Sequence, residues 1–594
     1  MSQIPPPARP ALRDIRIDHR TLLLMAMAVV AGMLATLAGR LLLAMIALAT
    51  NLAYHGRFSF AGGGVDITGL GLASVLVPVA GGLIIGLMAR YGSEKIRGHG
   101  IPEAMEAILI GQSRIQPKVA ILKPLSSAIS IGTGGPFGAE GPIIMTGGAL
   151  GSLFAQLFHL TPVERKTLLV AGAAAGMTAI FATPVAAVLL ALELLLFEWK
   201  ARSFLPVIVA CAAAAVLRPL LFEAGPLFPV VLPAAMTAAG ELPWAAGIGL
   251  VAGLLSTVLT AMVYGVEDLF GRLPLHWMWW PAIGGIVVGL GGLADPAALG
   301  VGYGNIGAAL AGDMPLAAAV TLILVKAVIW SVALGSGTSG GVLAPLLIIG
   351  GMLGTLLAAV FAALVPGHAG LFALLGMAAV MSGTMRAPLT ATLFAVELTG
   401  SLPPLLPLLA ACGTAYAVTG LLMRRSILTE KVARRGLHVL QEYGLDPFAT
   451  QRVGEVMIRD IETLNGAAQV ADTVAAFAAG RCRHKAYPVT DADGRCLGII
   501  TRADILRWSR DGAEEGVTLS EVLADRELFH AAPGELVGDL ADRMAAGDYA
   551  RVPVIDPASR RLLGLMTRKD LLAVRSRVMR QESERAALLR PRRR

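Results

Sequence analysis

A single carboxylate, Glu140, stands in the loop Gly138-Ala139-Glu140-Gly141-Pro142, directly before the apolar run Ile143-Ile144-Met145. Two more Gly/Pro loops share its character: Gly98-His99-Gly100-Ile101-Pro102 and Gly340-Gly341-Val342-Leu343-Ala344-Pro345. Each precedes an apolar or amphipathic helical run. A loop feeding a helix N-terminus offers unpaired N–H groups and the positive end of the helix dipole, which attract anions. A cation site would use several acidic side chains or carbonyl rings; here one acid sits among three amide-rich loops. Glu140 can occupy the place of an anion and leave when protonated or displaced, which makes it a candidate gate and proton carrier. The competing reading is a glutamate that caps its own helix and does nothing more.

The elements that must hold these loops are membrane helices. Of the 594 residues 55% are hydrophobic and only 15% charged, with a mean hydropathy of +0.69, against roughly 25% charged in soluble domains. Residues 315–385 carry one charged side chain, Lys326. The 69 glycines suit closely packed membrane helices. At lipid depth irregular backbone is tolerated only where it lines a cavity. Many of the apolar segments are shorter than the roughly 20 residues needed to cross a bilayer and are broken by Gly or Pro. That pattern predicts discontinuous helices around a site at mid-membrane depth. The run Trp277-Met278-Trp279-Trp280 reads as an interfacial anchor.

The net charge of +8 is concentrated at the ends: Arg9, Arg13, Arg16 and Arg20 precede the first apolar run, 21–50, and eight arginines follow from Arg575 onward. The positive-inside rule places the N-terminus in the cytoplasm. The first run reads as a retained helix rather than a signal peptide. The basic tail suits anionic lipid or solvent, and no aromatic or helical motif makes nucleic acid a partner. Cys211, Cys412, Cys482 and Cys496 have neither disulfide nor metal spacing.

The chain repeats itself. Residues 138–155 and 341–358 match at eight of eighteen positions with an offset of 203, and 177–194 and 381–398 match at seven of eighteen with an offset of 204, pairing Pro184 with Pro388 and Glu193 with Glu397. Two homologous membrane halves follow, about 21–217 and 245–424 within a membrane domain of 21–424. Residues 1–20 form a basic cytoplasmic N-terminus and 425–451 a linker. Two soluble units follow at 452–508 and 518–575, then a basic tail, 576–594. The soluble units repeat Tyr487-Pro-Val-Thr-Asp against Val552-Pro-Val-Ile-Asp, each followed by a strand and a helix.

The three loops, their order and the Ala387-Pro388-Leu389-Thr390 helix resemble the CLC family of chloride channels and proton/chloride exchangers, and the soluble pair resembles CBS domains. The resemblance covers roughly 21–575. It implies a polytopic α-helical membrane protein with two inverted repeats and discontinuous helices, followed by an α/β CBS pair. It also implies a homodimer with one pore per subunit, in a bacterial inner membrane with the CBS domains in the cytoplasm. It assigns Glu140 as the external gating glutamate. It lays the anion path along His99, Gly100, Ile101, Gly138, Ala139, Gly141, Val342, Leu343 and Leu428.

Three departures bear on function. His99 replaces the family's anion-contacting serine; an imidazole can donate to an anion or pack away from the path at a loop corner. Leu428 replaces the pore tyrosine and cannot donate a hydrogen bond. Leu194 falls where proton-coupled members carry a second glutamate. Its neighbour Glu193 reads as structural, as Arg386 does at its helix end. These favour passive anion conduction over proton-coupled exchange, which stays the alternative. The CBS pattern Gly-x-x-Thr-x-x-Asp occurs twice, at Gly498, Thr501 and Asp504 and at Gly564, Thr567 and Asp570. It can hold an adenine nucleotide, or the Thr and Asp can simply cap the next helix. No cofactor is required and no metal site is expected. A metalloprotease would need His-Glu-x-x-His, which is missing, so the chain is read as no enzyme. A CBS-regulated cation transporter would need clustered pore carboxylates.

Overall fold

The computed structural model describes residues 17, 19–230, 241–361, 369–437, 448, 451–512, 516–574 and 576. Arg9, Arg13, Arg16 and the arginines from Arg575 onward lie outside the described residues. The chain divides into two compact units, 1–442 and 443–594.

The first unit is helical. Its first half runs α1 (His19–His55), α2 (Leu76–Tyr91), α3 (Ile101–Leu109), α4 (Pro117–Gly132), α5 (Glu140–Gln156), α6 (Pro162–Phe181), α7 (Pro184–Leu190) and α8 (Ala201–Leu221). The second repeats this as α9 (Leu242–Gly271), α10 (Trp280–Ala294), α11 (Tyr303–Ala311), α12 (Leu316–Gly335), α13 (Leu343–Val360), α14 (Ala369–Met385), α15 (Pro388–Thr399) and α16 (Leu405–Leu422). Among the described residues, eight helices are long and apolar enough to cross a membrane. Of the others, α3, α7, α11 and α15 have 12 residues or fewer, whereas α6 has 20. Proline opens several of them, where its missing N–H costs nothing and its φ is preset.

Equivalent contacts hold the two halves. A Cβ on Gly147 would collide with the carbonyl of Gly172, and one on Gly376 with that of Gly350. These glycines let α5 cross α6, and α13 cross α14, backbone to backbone. Helix α6 ends at Ala182 (φ 59°) and α14 at Arg386 (φ 60°), both in the left-handed region. Arg386 also donates to the carbonyls of Thr419 (3.0 Å), Met423 and Arg424 (3.3 Å) at the end of α16.

The halves join reciprocally. Glu193 accepts from the N–H groups of Leu389 (3.2 Å) and Thr390 (2.9 Å) at the start of α15. Glu397 accepts from Val185 (3.0 Å) and Ala186 (2.8 Å) at the start of α7. Each glutamate fills the orphan donors of the other half's helix. Such exchange is what a two-fold relation between inverted repeats requires.

Residues 427–434, placed by sequence in a linker, form a separate helix, α17 (Ile427–Arg434), capped by Ser426 and packed on α3. Tyr264 donates to the Ile427 carbonyl at its start. Of the tryptophan run, Trp279 is exposed, whereas Trp277 and Trp280 flank the Arg97 guanidinium at 4.6 and 5.7 Å.

The second unit holds α18 (Val453–Val456), β1 (Leu464–Asn465), α19 (Val470–Ala478), β2 (Ala486–Thr490), β3 (Cys496–Thr501), α20 (Arg502–Asp511), α21 (Leu519–Ala524), α22 (Val537–Ala546), β4 (Arg551–Ile555) and β5 (Leu562–Thr567). β2 pairs antiparallel with β3 (Ala486 opposite Thr501), and β4 with β5 (Arg551 opposite Thr567), each with a register shift after the matching valine. The leading segments are exchanged. Val453 and Met457 pack in the core of the second CBS unit with Val537, Val552 and Met566, and Ile458 exchanges hydrogen bonds with Leu565. Leu519 and Leu523 pack in the core of the first with Val470, Val489 and Ile500.

Candidate anion site

The three loops converge. Gly341 N–H donates to the Gly138 carbonyl at 3.1 Å, and Gly340 N–H to the Gly98 carbonyl at 3.4 Å. Gly98 (φ 87°) and Gly100 (φ 91°) turn the first loop through conformations that favour glycine. A Cβ on Gly141 would collide with the His99 carbonyl, and one on Gly100 would stand 2.5 Å from the Gly141 carbonyl. The loops thus touch through bare backbone.

Glu140 is wholly buried at their junction, and its Oε1 accepts from Ala344 N–H at 2.9 Å. The carboxylate reaches from α5 in one half to the first turn of α13 in the other. It occupies the space beside Gly138 and Gly341: a Cβ on Gly138 would collide with the carboxylate, and one on Gly341 would stand 2.6 Å from Oε1. Oε2 is buried and has no partner among the described residues. A carboxylate on a first-turn amide lies where a bound anion would find its donors. Ala139, Ile101, Val342 and Leu343 are buried around it.

His99 is buried, and its Nδ1 is without a partner among the described residues. The charges within its electrostatic reach are Glu103, Lys123, Lys431 and Arg435. The Gly100 amide is already engaged. Its N–H donates to Glu103 Oε2 at 2.8 Å, while Arg435 holds Glu103 Oε1 at 3.0 Å. Leu428 is buried in α17, and α17 packs on α3, the helix that follows the first loop.

Sequence reading missed the two lysines that fix the loops. Lys123, fully buried, donates to the carbonyls of Ile96 (2.8 Å) and Gly98 (2.7 Å). Lys326, fully buried in the other half, donates to those of Ala298 and Gly300, both at 2.9 Å. Their spacing of 203 is the repeat offset, a signal that was available in the sequence. Beside α3 and α17 a cavity of about 420 Å³ is lined by Lys95, Arg97, Lys431, Arg434 and Arg435 against Glu94, Glu106 and Glu267.

In the CBS pair Thr501 and Asp504 close a capping box. Asp504 Oδ2 accepts from Thr501 N–H (2.9 Å) and Oγ1 (2.6 Å), and Thr567 and Asp570 do the same at 2.9 and 2.6 Å. Burial works against ionising Asp504, but the Thr501 hydrogen bonds and the Arg526 guanidinium outweigh it and hold the carboxyl below the usual range. A cavity of about 360 Å³ lies between the two CBS units, lined by Gly498, Thr501, Asp504, Arg526, Tyr549 and others. Thr567 and Asp570 do not line it.

A duplicated helical membrane unit whose broken helices meet at one buried carboxylate defines an ion-transport protein. The chain belongs to the voltage gated chloride channel family, the CLC family, whose pattern matches residues 81–420; CBS domains match at 453–511 and 519–577. It is 31% identical over 370 residues to a putative chloride channel protein ClcB-like of Ralstonia nicotianae, covering 61% of this chain and 86% of that protein. It is also 31% identical over 367 residues to a voltage-gated ClC-type chloride channel ClcB of Escherichia coli O81, covering 61% and 87%. Among solved structures it shares the fold of a slow cyanobacterial Cl⁻/H⁺ antiporter (TM-score 0.61, 23% identity, 71% of this chain and 99% of that one). The fold is shared too with a eukaryotic CLC transporter (TM-score 0.57, 19% identity, 93% and 98%). The protein is thus a multi-pass membrane protein of a chloride channel and antiporter family.

Proposed function

We propose that the chain conducts chloride or a similar anion passively, with Glu140 as the gate. The observation that carries this reading is the Glu140 carboxylate on the Ala344 amide, in place of an anion, between the two halves. Protonation or displacement of that group frees the amide. Passive conduction is supported by Leu194, an apolar residue where a second proton-carrying acid would stand, and by Glu193, whose oxygens are engaged at the start of α15. Liposomes holding the purified protein test it: chloride efflux without proton uptake is expected, and stoichiometric proton uptake would make it an exchanger.

The same reading places the CBS pair in the cytoplasm, makes the protein a homodimer among lipids, and gives the cleft at Thr501 and Asp504 to an adenine nucleotide. Support for the nucleotide is the 360 Å³ cavity with a carboxylate, a hydroxyl and Arg526 on its wall. Addition of ATP, ADP or AMP to the full chain should raise its melting temperature, and Asp504→Asn should remove that shift.

A further inference from the structure

The loop at His99 has a counterpart that the anion path did not include. Residues 98–102 and 300–304 both lead into nine-residue helices, α3 and α11. Gly300 (φ 59°) and Gly302 (φ 74°) repeat the positive φ of Gly98 and Gly100. Lys326 clamps the second loop through two carbonyls as Lys123 clamps the first. The side chains differ. Val301 stands where the first loop has His99, and Tyr303, where it has Ile101, opens α11.

Tyr303 has a buried hydroxyl that makes no hydrogen bond among the described residues. Its ring is fixed edge-on against Phe181 (6.5 Å) and Phe228 (5.7 Å). A buried donor left unmade is costly and calls for an acceptor. The hydroxyl lies within electrostatic reach of Glu140, whose Oε2 is likewise unpartnered. Lys326 feels the negative charge of Asp295 and, next, of Glu140, and makes no salt bridge among the described residues. A buried cation at this depth calls for a negative charge nearby. A cavity of about 380 Å³ is lined by Gly300–Asn305 together with Gly63–Val65.

We propose that Tyr303 is a further residue of the anion path: its hydroxyl donates to a dehydrated halide at a station supplied by the second loop, apart from the Ala344 amide. Lys326 is its positioning residue and supplies the compensating charge. This rests on the anion-transport reading above and adds a second donor to it. The donor is neutral, so it holds the anion without trapping it, and a station beside Glu140 accepts the halide whenever the carboxylate occupies the amide.

The test uses the full chain. Tyr303→Phe keeps the ring against Phe181 and Phe228 and removes only the hydroxyl. Chloride flux in liposomes and calorimetric chloride titration in detergent are measured for the wild type, Tyr303→Phe, Glu140→Gln and the double variant. The expected result is a roughly tenfold loss of chloride affinity or flux in Tyr303→Phe, the loss of one hydrogen bond to a charged group, and a similar loss when it is added to Glu140→Gln. Unchanged flux and affinity in Tyr303→Phe would overturn the station while leaving anion transport standing. An effect that vanishes in the Glu140→Gln background would show that the hydroxyl serves the glutamate and not the anion, and would overturn it as well. No flux from the wild type would remove the transport reading and the station with it.

Discussion

The two membrane halves agree wherever the fold needs them and differ at the candidate path. Lys123 and Lys326 make the same two-carbonyl clamp, and Glu193 and Glu397 cap each other's helices. Gly147 and Gly172 make the same close crossing as Gly350 and Gly376. Yet Glu140 faces Leu343 at the equivalent position, and His99 faces Val301. A duplicated chain keeps in both copies what packs the helices. What acts on the ion is free to differ, because one pathway needs only one gate. Symmetry thus separates structural polar residues from functional ones.

This comparison is breakable. The largest effect is expected from the lysines. Lys123→Met and Lys326→Met each take the ammonium donor from two buried carbonyls, of which Gly98's keeps only the 3.4 Å bond from Gly340 N–H, and should cost about 3 kcal/mol or more apiece, read as a fall in melting temperature. A loss confined to one lysine would show that the halves are not mechanically equivalent. Next come the glutamates. Glu193→Ala and Glu397→Ala remove reciprocal caps worth about 1–2 kcal/mol each. They should lower thermal stability similarly and leave the ratio of chloride to proton movement unchanged. A change in that ratio for Glu193→Ala alone would move it from scaffold to proton route.

The CBS units extend the test to a second duplication. Thr501→Ala and Thr567→Ala each remove a helix cap and should cost about 1 kcal/mol, so nucleotide binding, not stability, should distinguish the two sites. Asp504 gives the smallest effect. Its folded carboxyl lies below its ordinary value of about 3.9. Its contribution is therefore full above that value and is lost as the pH falls through the lower folded one. Acid unfolding of the full chain followed near pH 3–4 should be shallower for Asp504→Asn.

The loops could be read from sequence because glycine, proline and a lone acid contrast with apolar surroundings, and the duplication because its offset is constant. The lysine clamps were hidden because their targets are carbonyls, which carry no residue identity. Glu103 resembles any acid in a first helical turn, and nothing in its type announces that it takes the Gly100 amide. Helix α17 reads from sequence as a short basic helix leaving the membrane; only the packing shows its contact with α3. The exchange of leading CBS segments was hidden for a similar reason: Val453 and Leu519 are apolar in either assignment, and only the packing says which core each joins.

Chloride flux in liposomes by wild type and Glu140→Gln, taken across pH, tests the gate most directly. Glutamine keeps the side chain's size and cannot titrate. Wild-type flux that varies with pH, and Glu140→Gln flux that does not, is the predicted result. The same pH response in both proteins, with undiminished flux, would contradict the assignment of Glu140.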